Sequence, residues 1–244
     1  MKRFVIYAFV GVFVVWALRI LFPPSSHPEA TRRMQCYNNI KQIVLALQNY
    51  HDDFGAFPPS YLADEERRPK HSWRVLLLPY LDAKDVYDQY RFEEPWDSPH
   101  NISLQDEIPP AFQCPSFVLD HRRQATNTPH FQCLTNYVVI SDPSGIFDAS
   151  NASQISDVTD GTSVTVLVAE VRNHAVHWLK PSDVSLDDII SDLIVSSDDS
   201  RANHTGGLLF GMADGSVQFI SADTDVDSIR ALVTKAGGER RHKF

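Results

Sequence analysis

A histidine and an aspartate in the C-terminal third are the residues of this chain best suited to catalysis. His204 and Asp214 have the side chains that a hydrolase uses as a general base and as the group that orients it. A nucleophile is also required, and Ser163, in the stretch GTSVT, lacks the second glycine of a nucleophile elbow. The sequence therefore predicts no catalytic residues and favours Asp214 and Gly215 as a hairpin turn, with His204 holding the loop before it. A hydrolase that uses His204 is the third hypothesis for function.

The patterns that could bind a metal ion are incomplete. His174 and His177 are separated by two residues, but neither a cysteine pair nor a His-Glu-x-x-His helix accompanies them. Three aspartates at alternate positions begin at Asp223 as in an EF-hand loop, yet the glycine and the glutamate that such a loop needs further on are missing. We predict no metal site and no cofactor. Asp225 or Asp227 is better explained as the N-cap or a first-turn acid of a helix.

Aromatic side chains concentrate in one stretch of the chain, where they could line a groove for a carbohydrate or a peptide. Aromatic rings also fill the core beneath long loops, and we favour that interpretation. The side chains concerned are Trp73, Tyr80, Tyr87, Tyr90, Phe92 and Trp96. They motivate the alternative hypothesis for function, which is a solute- or glycan-binding module outside the cytoplasm.

The three cysteines allow one disulfide. Cys114 and Cys133 are near enough in sequence to close a loop of about 20 residues, which would stabilise the fold by about 3 kcal/mol if the bond is unstrained. Cys36 would then be left over on the first helix. Three reduced thiols in the core are the open alternative, since spacing does not fix connectivity.

The elements that must position these residues begin with an apolar segment over residues 4–22. Lys2 and Arg3 precede this segment, and Arg19 is its single charge. A helix of this length spans about 28 Å, which matches the hydrocarbon core of a membrane. The exit sequence RILFPP is a poor cleavage site, so we predict an uncleaved transmembrane anchor over residues 1–22, with a cleaved signal peptide as the alternative.

The charge distribution indicates where the rest of the chain lies and what it binds. Positive charges before the apolar segment favour a cytoplasmic N-terminus. The remainder is then extracytoplasmic, held at the cell membrane by a single-pass helix, and its expected partners are the membrane and other envelope proteins. The formal net charge of −9 argues against nucleic acid as a partner.

One α+β domain is predicted over residues 29–244, after a linker at 23–28. The chain has 244 residues, 43% of them hydrophobic, which is enough for one sizeable core beyond the anchor. Ser26 and Glu29 have capping-box spacing, and a long helix is predicted from there to about Asp53. The apolar residues that recur at helical spacing within it are Tyr37, Ile40, Val44 and Leu47. We expect this amphipathic helix to pack on an antiparallel sheet.

The strands of that sheet are predicted from short apolar runs. Residues 137–140 and 164–171 are rich in β-branched side chains, which favours strands. A hairpin is predicted over residues 208–220, because Asp214 and Gly215 separate two apolar runs.

Helical pieces and long loops are predicted for the remainder. Residues 72–90 are predicted to form two short helical pieces broken near Pro79, with a strand at residues 73–78 as the alternative. Residues 225–236 are predicted to form a short helix. Residues 92–115 are predicted to be a long surface loop, and residues 183–199 exposed turns with at most one turn of helix.

Several segments, taken in chain order, resemble the bacterial domain-of-unknown-function 1559 family. The stretch RRMQCYNNIKQIVLALQNYH resembles the first helix of that family, and the closing signature is a histidine followed by nine residues and Asp-Gly. The resemblance covers residues 31–221. The matching residues, to which we assign structural roles, are Asn38, Asn39, Trp73, Pro95, Trp96, Asp97, Asp160, Gly161, His204, Asp214 and Gly215.

The resemblance implies a pilin-like head, because members of the family are similar to type II secretion pseudopilins, with a long N-terminal helix before a small α+β domain. This chain has no Gly-Phe-Thr-Leu-Ile-Glu-like sequence ahead of its apolar run. Pro23, Pro24 and Pro28 also interrupt the continuous helix that a filament core uses. The working hypothesis is a membrane-anchored, non-enzymatic envelope protein with a structural or partner-binding role.

Overall fold

The computed structural model describes residues 29–118, 131–195 and 206–238. The predicted anchor and linker, over residues 1–28, and His204 lie outside the described residues. Among the described helices, none combines the length and the apolar character needed to cross a membrane.

The described residues form an α+β fold of short elements around one long helix. The α-helices are α1 (Glu29–Phe54), α2 (Trp73–Leu76), α3 (Lys84–Gln89), α4 (Leu186–Val195) and α5 (Val226–Val233). The strands are β1 (Tyr61–Ala63), β2 (Pro69–Ser72), β3 (Leu134–Thr135), β4 (Tyr137–Val138), β5 (Val166–Glu170), β6 (Val176–His177), β7 (Gly207–Met212) and β8 (Val217–Ser221). The predicted fold class, a long helix with antiparallel sheets, is therefore confirmed.

The central sheet has four strands in the order β4-β5-β7-β8, and each pair of neighbours is antiparallel. The predicted hairpin is present as β7 and β8, which are in register from Gly207 opposite Ser221 to Gly211 opposite Val217. Two smaller antiparallel pairs, β1 with β2 and β3 with β6, lie outside this sheet. The sheet therefore supplies one continuous surface on each side for helices to cover.

Helix α1 covers one face of the sheet with three of the four residues that the apolar spacing predicted; the prediction is wrong for Tyr37, which is exposed. The buried residues of the helix recur every three or four positions and include Ile40, Val44 and Leu47, all fully buried. Opposite them, a Cβ added to Gly211 of β7 would lie 2.8 Å from Ile40 Cγ2 and closer still to Val44 Cγ2. Only glycine allows the helix to approach the strand this closely.

Helices α4 and α5 cover the other face of the sheet. Because side chains alternate along a strand, Leu208 and Phe210 of β7 point to this second layer, where they join Ile189 and Leu193 of α4. The prediction of exposed turns at residues 183–199 is therefore wrong for α4. Its apolar residues have helical spacing, but the acidic residues between them made the segment look solvated.

The segment between β2 and β4 is irregular, and part of it is buried. The two helical pieces predicted at residues 72–90 are present as α2 and α3. The prediction of a surface loop at residues 92–115 is wrong in part, because Asn101 and Phe112 are fully buried and the segment contains two short 3-10 helices. The sequence has no regular periodicity here because the backbone is satisfied by successive short turns, together with side chains such as that of Asn101, and not by a long helix or a sheet.

A buried ion pair joins α2 to the central sheet. Arg74 Nη2 donates to Asp183 Oδ1 at 2.6 Å, and the two side chains are 0% and 1% exposed. Trp73 Nε1 donates to the other carboxylate oxygen at 3.0 Å, and the amide of Val139 donates to Oδ1 at 3.0 Å. Arg74 also donates to the carbonyl of Tyr137 at 3.0 Å. One carboxylate thus connects three chain segments that are distant in sequence.

We predict that removing one member of this pair destabilises the domain strongly. Asp183→Ala leaves the Arg74 guanidinium buried without its counter-charge, so the free energy of unfolding should fall by about 3–5 kcal/mol. The double variant Arg74→Met with Asp183→Leu should lose less than Asp183→Ala alone, because no charge is left buried. Urea denaturation of the full-length chain measures the free energy of unfolding of both variants. A loss below about 1 kcal/mol for Asp183→Ala would contradict a central role of the pair.

Candidate functional site

The loop that carries the Pro95-Trp96-Asp97 run is held by one buried asparagine. Asn101 is fully buried, and its Nδ2 donates to the carbonyls of Arg91 at 2.9 Å, Pro95 at 3.0 Å and Glu94 at 3.3 Å. Its Oδ1 accepts from the amide of Arg91 at 2.9 Å. A single amide side chain therefore satisfies four backbone groups of the loop, which fixes its shape.

The same loop is fastened to strand β2. The amide of Trp96 donates to the carbonyl of Lys70 at 3.2 Å. In return, Lys70 Nζ donates to the carbonyls of Phe92 at 3.0 Å and Glu93 at 2.8 Å. These contacts hold Trp96 at a defined distance from the β1-β2 hairpin.

His71 of β2 adds a neutral contact to this attachment. The carbonyl of Phe92 only accepts, so His71 Nε2 donates to it at 2.9 Å and Nδ1 accepts from the Tyr90 hydroxyl at 2.9 Å. Burial lowers the pKa of His71 and raises the pKa of Tyr90. Both groups therefore stay uncharged, and His71 is a positioning residue for the loop.

A groove with a volume of about 840 Å³ lies between the loop and the β1-β2 hairpin. Its size is in the range of small-molecule sites. We call it the Trp96 groove, and the residues that line it are Leu62, Ala63, Asp64, Glu65, Glu66, Arg68, Pro69, Lys70, His71, Phe92, Pro95, Trp96 and Asp97. The ring of Trp96 is half-buried and also contacts the His177 ring, with centroids 5.5 Å apart.

Charged side chains of the hairpin are mostly used within the hairpin itself. Arg68 Nη2 lies 2.8 Å from carboxylate oxygens of both Asp64 and Glu66. Asp64 also accepts from the backbone amides of Arg68 and Glu66, and the hydrogen bond from the Arg68 amide is the main reason that the pKa of Asp64 is lowered. Within the described part of the chain, no hydrogen bond or ion pair engages the carboxylates of Glu65 and Asp97.

The Asp-Gly signature lies elsewhere, in the turn between β7 and β8. Asp214 Oδ1 accepts from both the amide and the hydroxyl of Ser216, at 2.8 and 2.6 Å. Gly215 has a φ of 91°, a backbone conformation that favours glycine. Gln48 and Lys41 of α1 donate to the carbonyls of Ala213 and Gly215, so the turn is fastened to the long helix. The geometry of Asp214 is that of a turn residue.

The Asp160-Gly161 pair fastens the end of α5. Asp160 Oδ2 accepts from the amide of Gly237 at 2.7 Å, and Oδ1 accepts from the amide of Gly238 at 2.9 Å. Gly161 has a φ of 116°, which explains the glycine at this position. At the start of α5, Asp225 caps the helix by accepting from the amide of Ser228.

The two asparagines of the first helix differ in environment. Asn39 is buried, and its Nδ2 donates to the carbonyl of Gln113 at 2.9 Å. Asn38 is exposed. The remaining signature residue, Trp73, is fully buried and belongs to the Asp183 network.

The disulfide predicted between Cys114 and Cys133 is wrong. Cys114 bonds to Cys36 of α1, with Cα atoms 5.4 Å apart, and Cys133 is a buried free thiol. Burial raises the pKa of Cys133 to about 11. The helical spacing from Cys36 to Ile40 puts Cys36 on the buried face of α1, and this was the signal in the sequence that could have favoured the observed pair.

Among the described residues, the group that comes closest to a metal site is Cys36, Cys114 and Glu170, with candidate ligand atoms within 4.8 Å of one another. The two cysteines are bonded to each other, so they do not offer the thiolates that metal ions bind. His174 lies instead between two carboxylates of α4, 3.1 Å from Asp192 and 3.4 Å from Asp188. No cofactor is assigned to either group.

Comparison with known proteins identifies one family. A family model with the label SBP_bac_10 and the description "Protein of unknown function (DUF1559)" matches residues 26–189 and 185–227. No curated protein matches the chain, and no solved structure matches it. The matched residues include all the segments on which the resemblance was based.

We predict that Asn101 determines the stability of the loop that carries Trp96. Asn101→Ala leaves one amide and three carbonyls of the loop without their buried partner, so the free energy of unfolding should fall by about 2–3 kcal/mol. Urea denaturation measures the loss, and limited proteolysis should show earlier cleavage in residues 91–101. Asn38→Ala is the matched control, because Asn38 is exposed, and it should change stability by less than about 0.5 kcal/mol. Equal effects of the two substitutions would contradict the role of Asn101.

We also predict the connectivity of the cysteines in the native protein. Alkylation of the denatured chain without reductant should label Cys133 alone, and peptide mass mapping should recover Cys36 joined to Cys114. Replacing both bonded cysteines with serine should cost about 4 kcal/mol, since the bond closes a loop with a sequence separation of 78. Cys133→Ser is the control, because Cys133 forms no disulfide. Recovery of a peptide that joins Cys133 to either of the other two would contradict the assignment.

Proposed function

This chain belongs to the DUF1559 family, and on that premise we propose that it is a membrane-anchored, pseudopilin-like envelope protein with a structural or partner-binding role. In this proposal the chain is not an enzyme. The apolar segment over residues 4–22 serves as its single membrane anchor, and the α+β domain lies outside the cytoplasm.

The observation that carries the proposal is the outer face of α1. Met34 and Leu45 lie on the side of the helix opposite the sheet, about three turns apart, and are 59% and 54% exposed. Tyr37 beside them is 37% exposed. Large apolar side chains on the outer face of a long helix favour contact with another protein, because water is a poor environment for them.

Two further features support a location of the domain outside the cytoplasm. The Cys36–Cys114 disulfide suits an oxidising environment such as the periplasm or the cell surface. The apolar segment of the sequence comes shortly before α1, and its length matches a bilayer. A long helix that follows an apolar segment and precedes a small α+β domain is the arrangement that the resemblance to pseudopilins implies.

The test is a pair of substitutions on the outer face of α1, made in the full-length protein and expressed in its native host. Met34→Glu and Leu45→Glu together should abolish migration as a complex on native gels, because a partner interface excludes unpaired charges. The melting temperature of the purified variant should be unchanged, since both positions are exposed. Gln35→Glu, another exposed position of α1, is the matched control and should leave the complex intact.

Two outcomes contradict this proposal. One is a protein that alkaline washing releases from the membrane, or that protease cannot reach in spheroplasts, because either result removes the proposed topology. The other is turnover of a defined substrate that is lost in a folded His204→Ala variant, which would favour the hydrolase hypothesis.

The Trp96 groove supports a second candidate function, solute or glycan binding. Its volume of about 840 Å³ and its half-buried tryptophan are the features of a small-ligand site. The loop that carries Trp96 is also fixed in advance by Asn101, which lowers the entropic cost of binding. Saturable binding that is lost in a folded Trp96→Ala variant is the result that this candidate requires.

A further inference from the structure

We propose that the Trp96 groove binds a small organic cation, whose ammonium group lies over the Trp96 ring and is neutralised by Glu65 and Asp97. This inference names the ligand class for the second candidate function and rests on it. The partner-binding role of α1 is independent of it.

The charges that line the groove disfavour anionic ligands and favour cationic ones. Four carboxylates line it, those of Asp64, Glu65, Glu66 and Asp97, against the two cationic groups of Arg68 and Lys70. An anion would approach an excess of negative charge, whereas a cation would reduce it.

The two cationic groups of the groove are already occupied. Arg68 pairs with Asp64 and Glu66 in the hairpin, and Lys70 Nζ donates to the carbonyls of Phe92 and Glu93. Both groups therefore already have acceptors within the protein.

Two carboxylates remain for the ligand. Glu65 lies at the tip of the β1-β2 hairpin and Asp97 directly follows Trp96, so one acid belongs to the hairpin side of the lining and the other to the loop side. Among the described residues, neither carboxylate has a hydrogen bond or an ion pair, in contrast to Asp64 and Glu66 of the same hairpin. A ligand cation between the two sides would satisfy both without displacing an existing contact.

The tryptophan makes the groove selective for an alkylated cation. A cation within about 6 Å of an indole face is attracted by the negative face of the ring, and tryptophan is the strongest of the aromatic side chains in this respect. Phe92 supplies a second ring to the lining. Methyl or methylene groups on the cation would contact these rings, while its charge faces the two acids.

Choline is the probe, because it carries a trimethylammonium group on a short chain. Its uncharged isostere 3,3-dimethylbutan-1-ol has the same shape, and glucose represents the saccharide class. The full-length chain in a non-ionic detergent is titrated with each compound by ligand-observed NMR. We expect saturable choline binding with a Kd on the order of millimolar, and at least about fivefold weaker binding of the isostere.

Conservative substitutions assign the binding to the groove. Asp97 and Glu65 are exposed, so the Asp97→Asn and Glu65→Gln variants should fold normally. Each substitution should weaken choline binding about twofold to fivefold. Asp223→Asn removes the same charge from an exposed position outside the groove and should leave the Kd unchanged. Trp96→Phe should weaken binding less than Trp96→Ala, since a smaller ring is retained.

Three outcomes overturn the inference, and they separate it from the function on which it rests. Equal binding of choline and its isostere would show that charge plays no part. Binding of glucose but not choline, lost in Trp96→Ala, would overturn the cation and leave the solute-binding role in place. If none of the three probes binds, both the cation-binding inference and the solute-binding role are contradicted.

Discussion

Arg74 and Asp183 carry opposite charges that the fold has removed almost entirely from water, and the arrangement of the domain depends on their meeting. Taking two such groups out of water costs several kcal/mol each, so they are tolerated only where hydrogen bonds surround them. Trp73 and the amide of Val139 complete the set around the carboxylate. Because these groups come from three separate chain segments, the pair forms only when α2, the edge of the central sheet and the segment before α4 are together.

The rest of the core is built on both sides of the sheet that this pair helps to position. Helix α1 lies so close to β7 that Gly211 has no room for a side chain, and the Cys36–Cys114 bond joins the same helix to the irregular segment before β3. The bond therefore fixes the end of the irregular segment to α1. This stretch has no strand and only short helical turns, and side chains such as Asn101 add to its turn hydrogen bonds in satisfying the backbone.

This way of holding a loop links the fold to the proposed ligand site. Trp96 lies on a loop, but the backbone just before it is bound by Asn101 at Pro95 and by Lys70 at Phe92, and its own amide donates to the carbonyl of Lys70. A groove prepared in this way needs little rearrangement when it binds. The outer face of α1 is rigid for another reason, since the buried face of that helix is fixed by packing against the sheet. The domain thus presents two separate surfaces, the outer face of α1 with its exposed Met34 and Leu45, and the acidic Trp96 groove.

Local patterns in the sequence determined the elements whose cause is local: the long helix from its apolar spacing, the hairpin at Asp214 and Gly215, and the N-cap at Asp225. The family, too, followed from motifs in order. Tertiary structure alone decided which cysteines meet, where the Asp183 carboxylate finds its partner, and that Asn101 organises a loop. The cysteine and Asp183 contacts join residues far apart in the chain, and spacing does not show which distant segments meet. Asn101 bonds to residues 6 to 10 positions away, in a loop whose shape no regular periodicity predicts. The acidic segment that contains α4 shows the same limit, because its apolar residues became core only once the sheet was there to cover.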